Sequence, residues 1–370
     1  PGTFWERRET NRYAALLPHA RAEPDADLLV DFPRSHPLRE AVMASVAFAN
    51  DLAATPPPFA VARQHGAWTR GLMVLPGGEE ELEEFLVERV RAYGGECRLS
   101  ERVARIDVKR GAATGVTLDG EEQPLGATFL VSDLDGESLA ALASGEGISK
   151  RALKEWPRIT PTLGRFVVNV VALREGVPRP LGVEALLLPD PRERRLPAGG
   201  ALHVQRASAG ADEDLLVVEA LLPLRGGLAL HEARQAVLER LVAELPFLER
   251  HLVIVDSPHD GLPAWVFEPG VAGGARRRRA VERALARGAA VAPEPMIEKL
   301  EVDPPGYLGL AGEPLRGPLE RSLLVGRSVL PGLGQEGQVL AAWGAARLVT
   351  RSDKQKERMR RDMWSKVEIG

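Results

Sequence analysis

A glycine loop set between an apolar run and a helix of small residues constrains this chain more than any other feature. Ser322-Leu-Leu-Val325 is short, apolar and suited to a buried strand. Gly332, Gly334 and Gly337 open the loop that follows, and Gln338 to Val349 carries small residues able to pack closely on a sheet. A glycine loop feeding a helix start presents backbone N–H groups without intrahelical partners and the positive end of the helix dipole. Such a place suits a phosphate, a carbonyl or another electron-rich group. The bland alternative is a strand-to-helix turn that uses glycine for sterics alone.

The spacing Gly332-x-Gly334-x-x-Gly337 matches the dinucleotide fingerprint literally, but its context does not. That fingerprint needs a βαβ unit with a second strand and an acidic residue about 20 positions on. Here the helix runs into Arg351-Ser-Asp-Lys-Gln-Lys-Glu-Arg358, which is no strand, and Pro331 separates loop from strand. A ligand loop closing a fold at its C-terminal side fits better.

Composition narrows the function classes. A chain of 370 residues with 44% hydrophobic and 27% charged residues is long enough for a large core in two packed lobes. A net charge of −4 gives no nucleic-acid footprint. The single cysteine, Cys97, excludes an internal disulfide and a multi-cysteine metal site, and Glu96-Cys-Arg-Leu99 reads as a strand burying an inert thiol. His65, His203, His231, His251 and His259 lack metal spacing and read as surface or loop residues, so no metal is expected. No nucleophile elbow or Walker loop is present. No apolar run reaches membrane-span length and no signal peptide opens the chain, so a cytoplasmic protein is expected. The first residue is Pro1, which points to a processed chain or part of a longer product.

Taken in order, Pro37 to Leu52 reads as a helix and Phe59 to Met73 as an aromatic, glycine-bearing approach to the next one. That next helix, Glu79 to Tyr93, sets Leu82, Phe85, Leu86, Val90 and Tyr93 on one stripe. Val103–Val108, Gly115–Leu118 and Thr128–Ser132 read as strands, with a short helix near Ser138 to Leu142. Arg165–Ala172, Ala185–Leu188, Ala201–Arg206 and Leu215–Leu222 form an antiparallel or mixed sheet, joined by an amphipathic helix over Leu228 to Leu245. Leu252–Val255 and Met296–Val302 read as strands, and Ala275 to Ala289 as helical, its Arg276–Arg279 run being a solvated helix start. Ser352 to Val367 reads as a basic amphipathic helix that would pack on its own domain, dock on a partner or lie on a membrane surface.

Three segments in order carry a family resemblance: Trp68-Thr-Arg-Gly-Leu-Met-Val-Leu-Pro-Gly-Gly-Glu-Glu-Glu-Leu82; Tyr93 to Ile106 with Gly115-Val116 and Ala127 to Asp133; and Leu324-Val-Gly-Arg-Ser-Val-Leu-Pro-Gly-Leu-Gly-Gln-Glu-Gly337. The arrangement resembles the phytoene desaturase and carotenoid isomerase branch of the FAD-dependent oxidoreductases. The resemblance spans roughly residues 37 to 350, and its third segment is the most specific. It implies an α/β (α+β) fold in which an incomplete, Rossmann-like FAD lobe is interleaved with a substrate lobe built on a mixed or antiparallel sheet with helices. The segments would be 1–76 (substrate-lobe helices and approach), 77–150 (flavin lobe), 151–295 (substrate lobe, walling an apolar tunnel), 296–350 (flavin lobe) and 351–370 (charged tail).

By the same resemblance, FAD would contact Val103, Gly326, Ser328, Gly332, Leu333, Gly334, Gln335, Glu336 and Gly337. No residue is singled out as general acid or base. Two departures stand out. The family's opening GxGxxG βαβ unit has no counterpart before Trp68, and Arg327 and Ser328 follow Gly326 where the family often has an acidic residue. The implied partners are therefore a complementing polypeptide carrying that βαβ unit, an apolar small-molecule substrate and, through the tail, the inner-membrane surface. The alternative is a cofactor-less binding subunit with the same fold.

Overall fold

The computed structural model describes residues 27–53, 55–71, 77–144, 148, 156–190, 200–269, 276–282 and 292–352. The helix expected over Ser352 to Val367 lies beyond these residues except for Ser352 itself. In chain order the elements are α1 (Pro37–Ala49), α2 (Pro58–Arg70), α3 (Gly78–Ala92), β1 (Val103–Lys109), β2 (Ala112–Leu118), β3 (Leu125–Gly126), β4 (Leu130–Ser132), α4 (Gly136–Leu142), β5 (Arg158–Leu173), β6 (Glu184–Leu187), β7 (Leu202–Ser208), β8 (Glu213–Pro223), α5 (Leu230–Glu244), β9 (Leu252–Asp256), β10 (Ala264–Glu268), β11 (Arg277–Val281), β12 (Ile297–Asp303), β13 (Ser322–Leu324) and α6 (Gly334–Ser352). The fold is mixed α/β, with no closed barrel. The chain divides into two units that alternate in sequence, one taking Pro57–Ile159 and Val302 onward, the other Asp27–Pro56 and Thr160–Glu301.

The second unit is built on an eight-stranded sheet of order β11-β10-β9-β5-β8-β7-β6, with β12 also pairing with β5. Strict alternation on β5 explains its central place. Phe166, Val168, Val170 and Ala172 are fully buried on one face, while Arg165, Val167, Asn169 and Val171 are half-buried on the other. Antiparallel pairing with β8 runs from Leu163↔Pro223 to Leu173↔Glu213, so Leu216, Val218, Ala220 and Leu222 share the first face. Leu202 and Val204 of β7 extend it, and α5 lays Ala233, Val237 and Leu241 onto it. Each buried valine or leucine among them contributes about 1.5–3 kcal/mol by leaving water. Arg234 of α5 is also fully buried. It is ion-paired with Asp260, donates from Nη1 to the Pro263 carbonyl at 2.7 Å and lies 4.9 Å from the Trp265 ring centre.

Three expectations are corrected. Over the described part of Ala275 to Ala289, Arg277–Val281 is an edge strand, paired with β10 as Trp265↔Ala280 and Phe267↔Arg278. Pairing satisfies the backbone there, the arginines keep the edge charged, and Arg278 stacks 4.6 Å from Trp265. Phe59 to Arg70 is helical from Pro58, a residue pre-set for a helix start. Cys97 lies in an irregular, half-buried segment rather than a strand, where Arg98 pairs with Glu96 and Glu101 instead of joining a ladder.

The first unit has a three-stranded antiparallel sheet, β1-β2-β3, and a parallel pair, β13-β4, in register Ser322↔Leu130 to Leu324↔Ser132. Its core joins Ile106, Ala113, Leu139, Leu324, Val329 and Ala341, bringing β1, β2, α4, β13 and α6 together. The amphipathic helix α3 has the expected stripe, yet no residue on it is buried. Leu82, Phe85, Leu86, Val90 and Tyr93 all face solvent.

Candidate functional site

In the first unit, β13 is buried along its length and delivers the chain to residues 325–333 and then to α6. Close approach dictates glycine at 326, because a Cβ there would overlap the Asp133 carbonyl oxygen at the end of β4. Backbone conformation dictates it at 334, where φ is +56°, a region that penalises side chains. Gly332 and Gly337 pack against Leu310 and the Leu330 carbonyl. A second strip of chain braces the loop: Gly312 and Glu313 N–H donate to the Val329 and Ser328 carbonyls at 3.0 and 2.8 Å, and Gly332 N–H donates to the Leu310 carbonyl at 3.0 Å. The loop is thus held at the N-terminus of a helix of 19 residues, where the Gly334 N–H donates to the Pro331 carbonyl.

The loop side chains divide into two sets. Gln335 donates to Glu79 Oε1 of α3 at 2.9 Å, and Glu336 is ion-paired with Arg63 of α2. Both are therefore tied to neighbouring helices, and Leu333 is half-buried. Ser328 is 5% exposed and its hydroxyl has no hydrogen-bond partner. Glu313, 6% exposed, accepts from Gly136 N–H through Oε1 at 2.9 Å, while its Oε2 is also unpartnered. The Ser328 hydroxyl is close enough to temper the Glu313 carboxyl without meeting hydrogen-bond geometry. Burial pushes the Glu313 pKa up, and Asp135 and Glu137 add to that, against the nearby Ser328 hydroxyl and the hydrogen bond from Gly136. The site therefore holds a buried hydroxyl and a carboxyl biased towards its neutral form.

Gly326, Ser328, Gly332, Leu333, Gly334, Gln335, Glu336 and Gly337 are brought together by this one turn. Val103 lies at the start of the outer strand β1, whose Ile106 shares a core with Val329 of the turn. Glu313, Arg63 and Glu79 escaped the sequence reading. A lone acid in the apolar, glycine-bearing stretch Gly309-Leu-Ala-Gly-Glu313 was the one available signal.

The second unit carries a separate polar cluster on the sheet face opposite α5. Arg165 donates to the Phe48 and Asn50 carbonyls at 2.7 and 3.0 Å, and Lys299 donates to the Asn50 carbonyl at 2.7 Å, holding the C-terminal end of α1. His203 bridges Glu219 and Glu184 at 2.7 Å each, with Phe48 stacked 5.4 Å away. It was expected at the surface or in a loop; it is instead a strand residue only 7% exposed, because cross-strand pairing with Glu219 supplies the partner that burial demands. Burial alone would lower its pKa, but hydrogen bonds to Glu219 and Glu184 outweigh that and raise it. Burial likewise opposes ionisation of Glu219, which His203 and Arg165 reverse, leaving its pKa lowered. Beyond this cluster the face carries half-buried Val167, Val171, Leu215, Val217 and Leu221, with Asn169 among them.

Among the described residues no cluster of His, Cys, Asp and Glu suits a metal ion, and no helix is long and apolar enough to cross a membrane. No protein-family profile and no curated protein matches the sequence. Among solved structures, an oxidoreductase from Methanosarcina mazei matches with a TM-score of 0.56 at 16% identity, over 93% of this chain and 73% of that one. At that identity the likeness is one of fold.

Proposed function

We propose that this chain is the larger part of an FAD-dependent oxidoreductase of the phytoene desaturase type, acting on an apolar substrate and completed by a second polypeptide that carries the dinucleotide-binding βαβ unit. The observation that carries the reading is the braced glycine turn at the start of α6, with the buried, unpartnered Ser328 hydroxyl beside it. First-turn N–H groups of a long helix fit the electron-rich edge of a flavin, and the buried Ser328 hydroxyl beside the Glu313 carboxyl fits its polyol chain. The same fold in a protein named an oxidoreductase adds support. A bound flavin would supply the hydride acceptor.

The chain's own residues would bind, orient and exclude water. Gly334 and Gly337 let the backbone come close, and Ser328 would hold a hydroxyl. Glu313 keeps Gly136 and the start of α4 in place. Gln335 and Glu336, held by Glu79 and Arg63, fix the helix start rather than touch the cofactor. Val103 would offer backbone at the edge of β1. The half-buried aliphatic face of β5 and β8 suits an apolar substrate, with Arg165, Glu219 and His203 at its polar end.

A second reading, a binding subunit without cofactor, draws on the internal contacts that already account for Gly326, Gly332 and Gly337. Cofactor retention separates the two. In protein purified from its own host, Gly334→Ala and Ser328→Ala are expected to lower the FAD released per chain on denaturation, with the melting temperature of Ser328→Ala close to that of the parent. Wild-type protein that releases no flavin supports the second reading.

A further inference from the structure

His203 stands between two carboxylates at one end of the large sheet. Its Nδ1 lies 2.7 Å from Glu219 Oε2 on β8, and its Nε2 lies 2.7 Å from Glu184 Oε1 on β6. An ionised carboxylate only accepts, so each contact needs an N–H, and an imidazole carries two only when protonated. The geometry therefore sets one extra proton on a buried ring. Other charges frame it. Arg165 of β5 lies 3.9 Å from Glu219, and Lys299 of β12 acts on the same carboxylate. From α1 comes the Phe48 ring at 5.4 Å, with Asp51 beyond it at 3.6 Å from Arg165. The two acids differ in their freedom. Glu219 is 18% exposed and flanked by both cations, whereas Glu184 is 44% exposed. Glu184 also belongs to a strand of four residues that, among the described residues, pairs with β7 alone and is touched by α1.

We propose that His203 is a proton-operated latch on this sheet edge: protonated, it ties β6 and, through the Phe48 ring, the end of α1 across the sheet face; neutral, it lets Glu184 go and leaves β6 held by its backbone ladder alone. The step is the loss of one proton. The Nε2–H bond breaks, the proton passes to Glu184 and from there to water, and the Nε2 lone pair then faces a carboxylate that it repels. Glu184, the more exposed acid, turns out to solvent, while Nδ1–H keeps Glu219. Burial alone would hold the ring neutral, but the bonds to Glu219 and Glu184 outweigh it, so the proton is lost above the ordinary histidine value of about 6.5. A strand this short at a sheet edge has little else to hold it, and such elements open first. The latch borders the face that carries Val167, Val217 and Leu221, so pH would set access to the polar end of that face; only this consequence rests on the reading above.

The test is amide hydrogen exchange of the full chain from about pH 5.5 to about pH 9, each rate referred to that of an unfolded chain at the same pH. Expected is a fall of about tenfold or more in the protection of Glu184–Leu187 as pH rises, the loss of one charge-assisted hydrogen bond. The fall should follow the titration of the His203 ring carbons in NMR, with residues 215–222 of β8 unchanged. Glu184→Gln removes a charge that holds the proton, so its step should move to lower pH, and His203→Gln should abolish the step. Should His203→Gln fail to fold, the shift in Glu184→Gln decides alone. Protection of Glu184–Leu187 without a step, a step that survives in His203→Gln, a step unmoved by Glu184→Gln, or one shared equally by residues 215–222 each overturns the latch. Exchange is read independently of colour: a colourless protein with the step overturns only the flavin, and a yellow protein without it only the latch.

Discussion

Helices α3 and α5 carry the same sequence signal and meet opposite fates. Both have 15 residues with apolar positions spaced for one face. On α5 that face closes over the sheet, with Ala233, Val237 and Leu241 fully buried. On α3 every apolar residue of the stripe faces solvent. Amphipathic periodicity states that a helix has a face to cover; it does not state what covers it. Among the described residues, the α5 face is covered by the sheet of its own unit and the α3 face is not covered.

The contrast can be broken or sharpened by substitution. Arg234→Ala should cost most, about 3–5 kcal/mol, because it leaves Asp260 charged and unpaired where both side chains are fully buried. Chemical denaturation reads this as a fall in midpoint. Leu241→Ala, a fully buried truncation, should cost about 2–5 kcal/mol in the same assay. His203→Gln probes the polar cluster through pH. The imidazole pKa is raised on folding, so its stabilisation is fully present below the ordinary value of about 6.5 and is lost as pH rises through the folded value. The variant's deficit, about 1–2 kcal/mol at pH 5.5, should therefore shrink towards alkaline pH, and a deficit that grows with pH would contradict the bridge to Glu219 and Glu184. Leu86→Ala in the free chain should be smallest, under about 0.5 kcal/mol. A loss there as large as that of Leu241→Ala would show that α3 is packed after all and end the comparison.

Sequence alone reaches the regular parts of this molecule and stops at those decided by pairing. Strand β5 was legible because Phe166 to Ala172 is an apolar run rich in valine, and α6 because small residues follow a glycine turn. Strand β11 was not: four arginines fit a helix start as well as an edge strand, and only β10 beside them decides. His203 looked like any surface histidine because its two glutamates stand 16 and 19 positions away in sequence. In the candidate site the glycine turn was visible, while its support was not. Arg63 and Glu79 reach the turn from distant segments with nothing local to mark them, and Glu313 shows only as a lone acid in an apolar, glycine-bearing stretch.

The account rests on a flavin held at the start of α6. The most direct measurement is the visible absorbance spectrum of the protein purified intact from its own host, followed by mass analysis of whatever denaturation releases. The account predicts flavin bands and released FAD in near-stoichiometric amount. A colourless preparation, intact and with its partners retained, would contradict it.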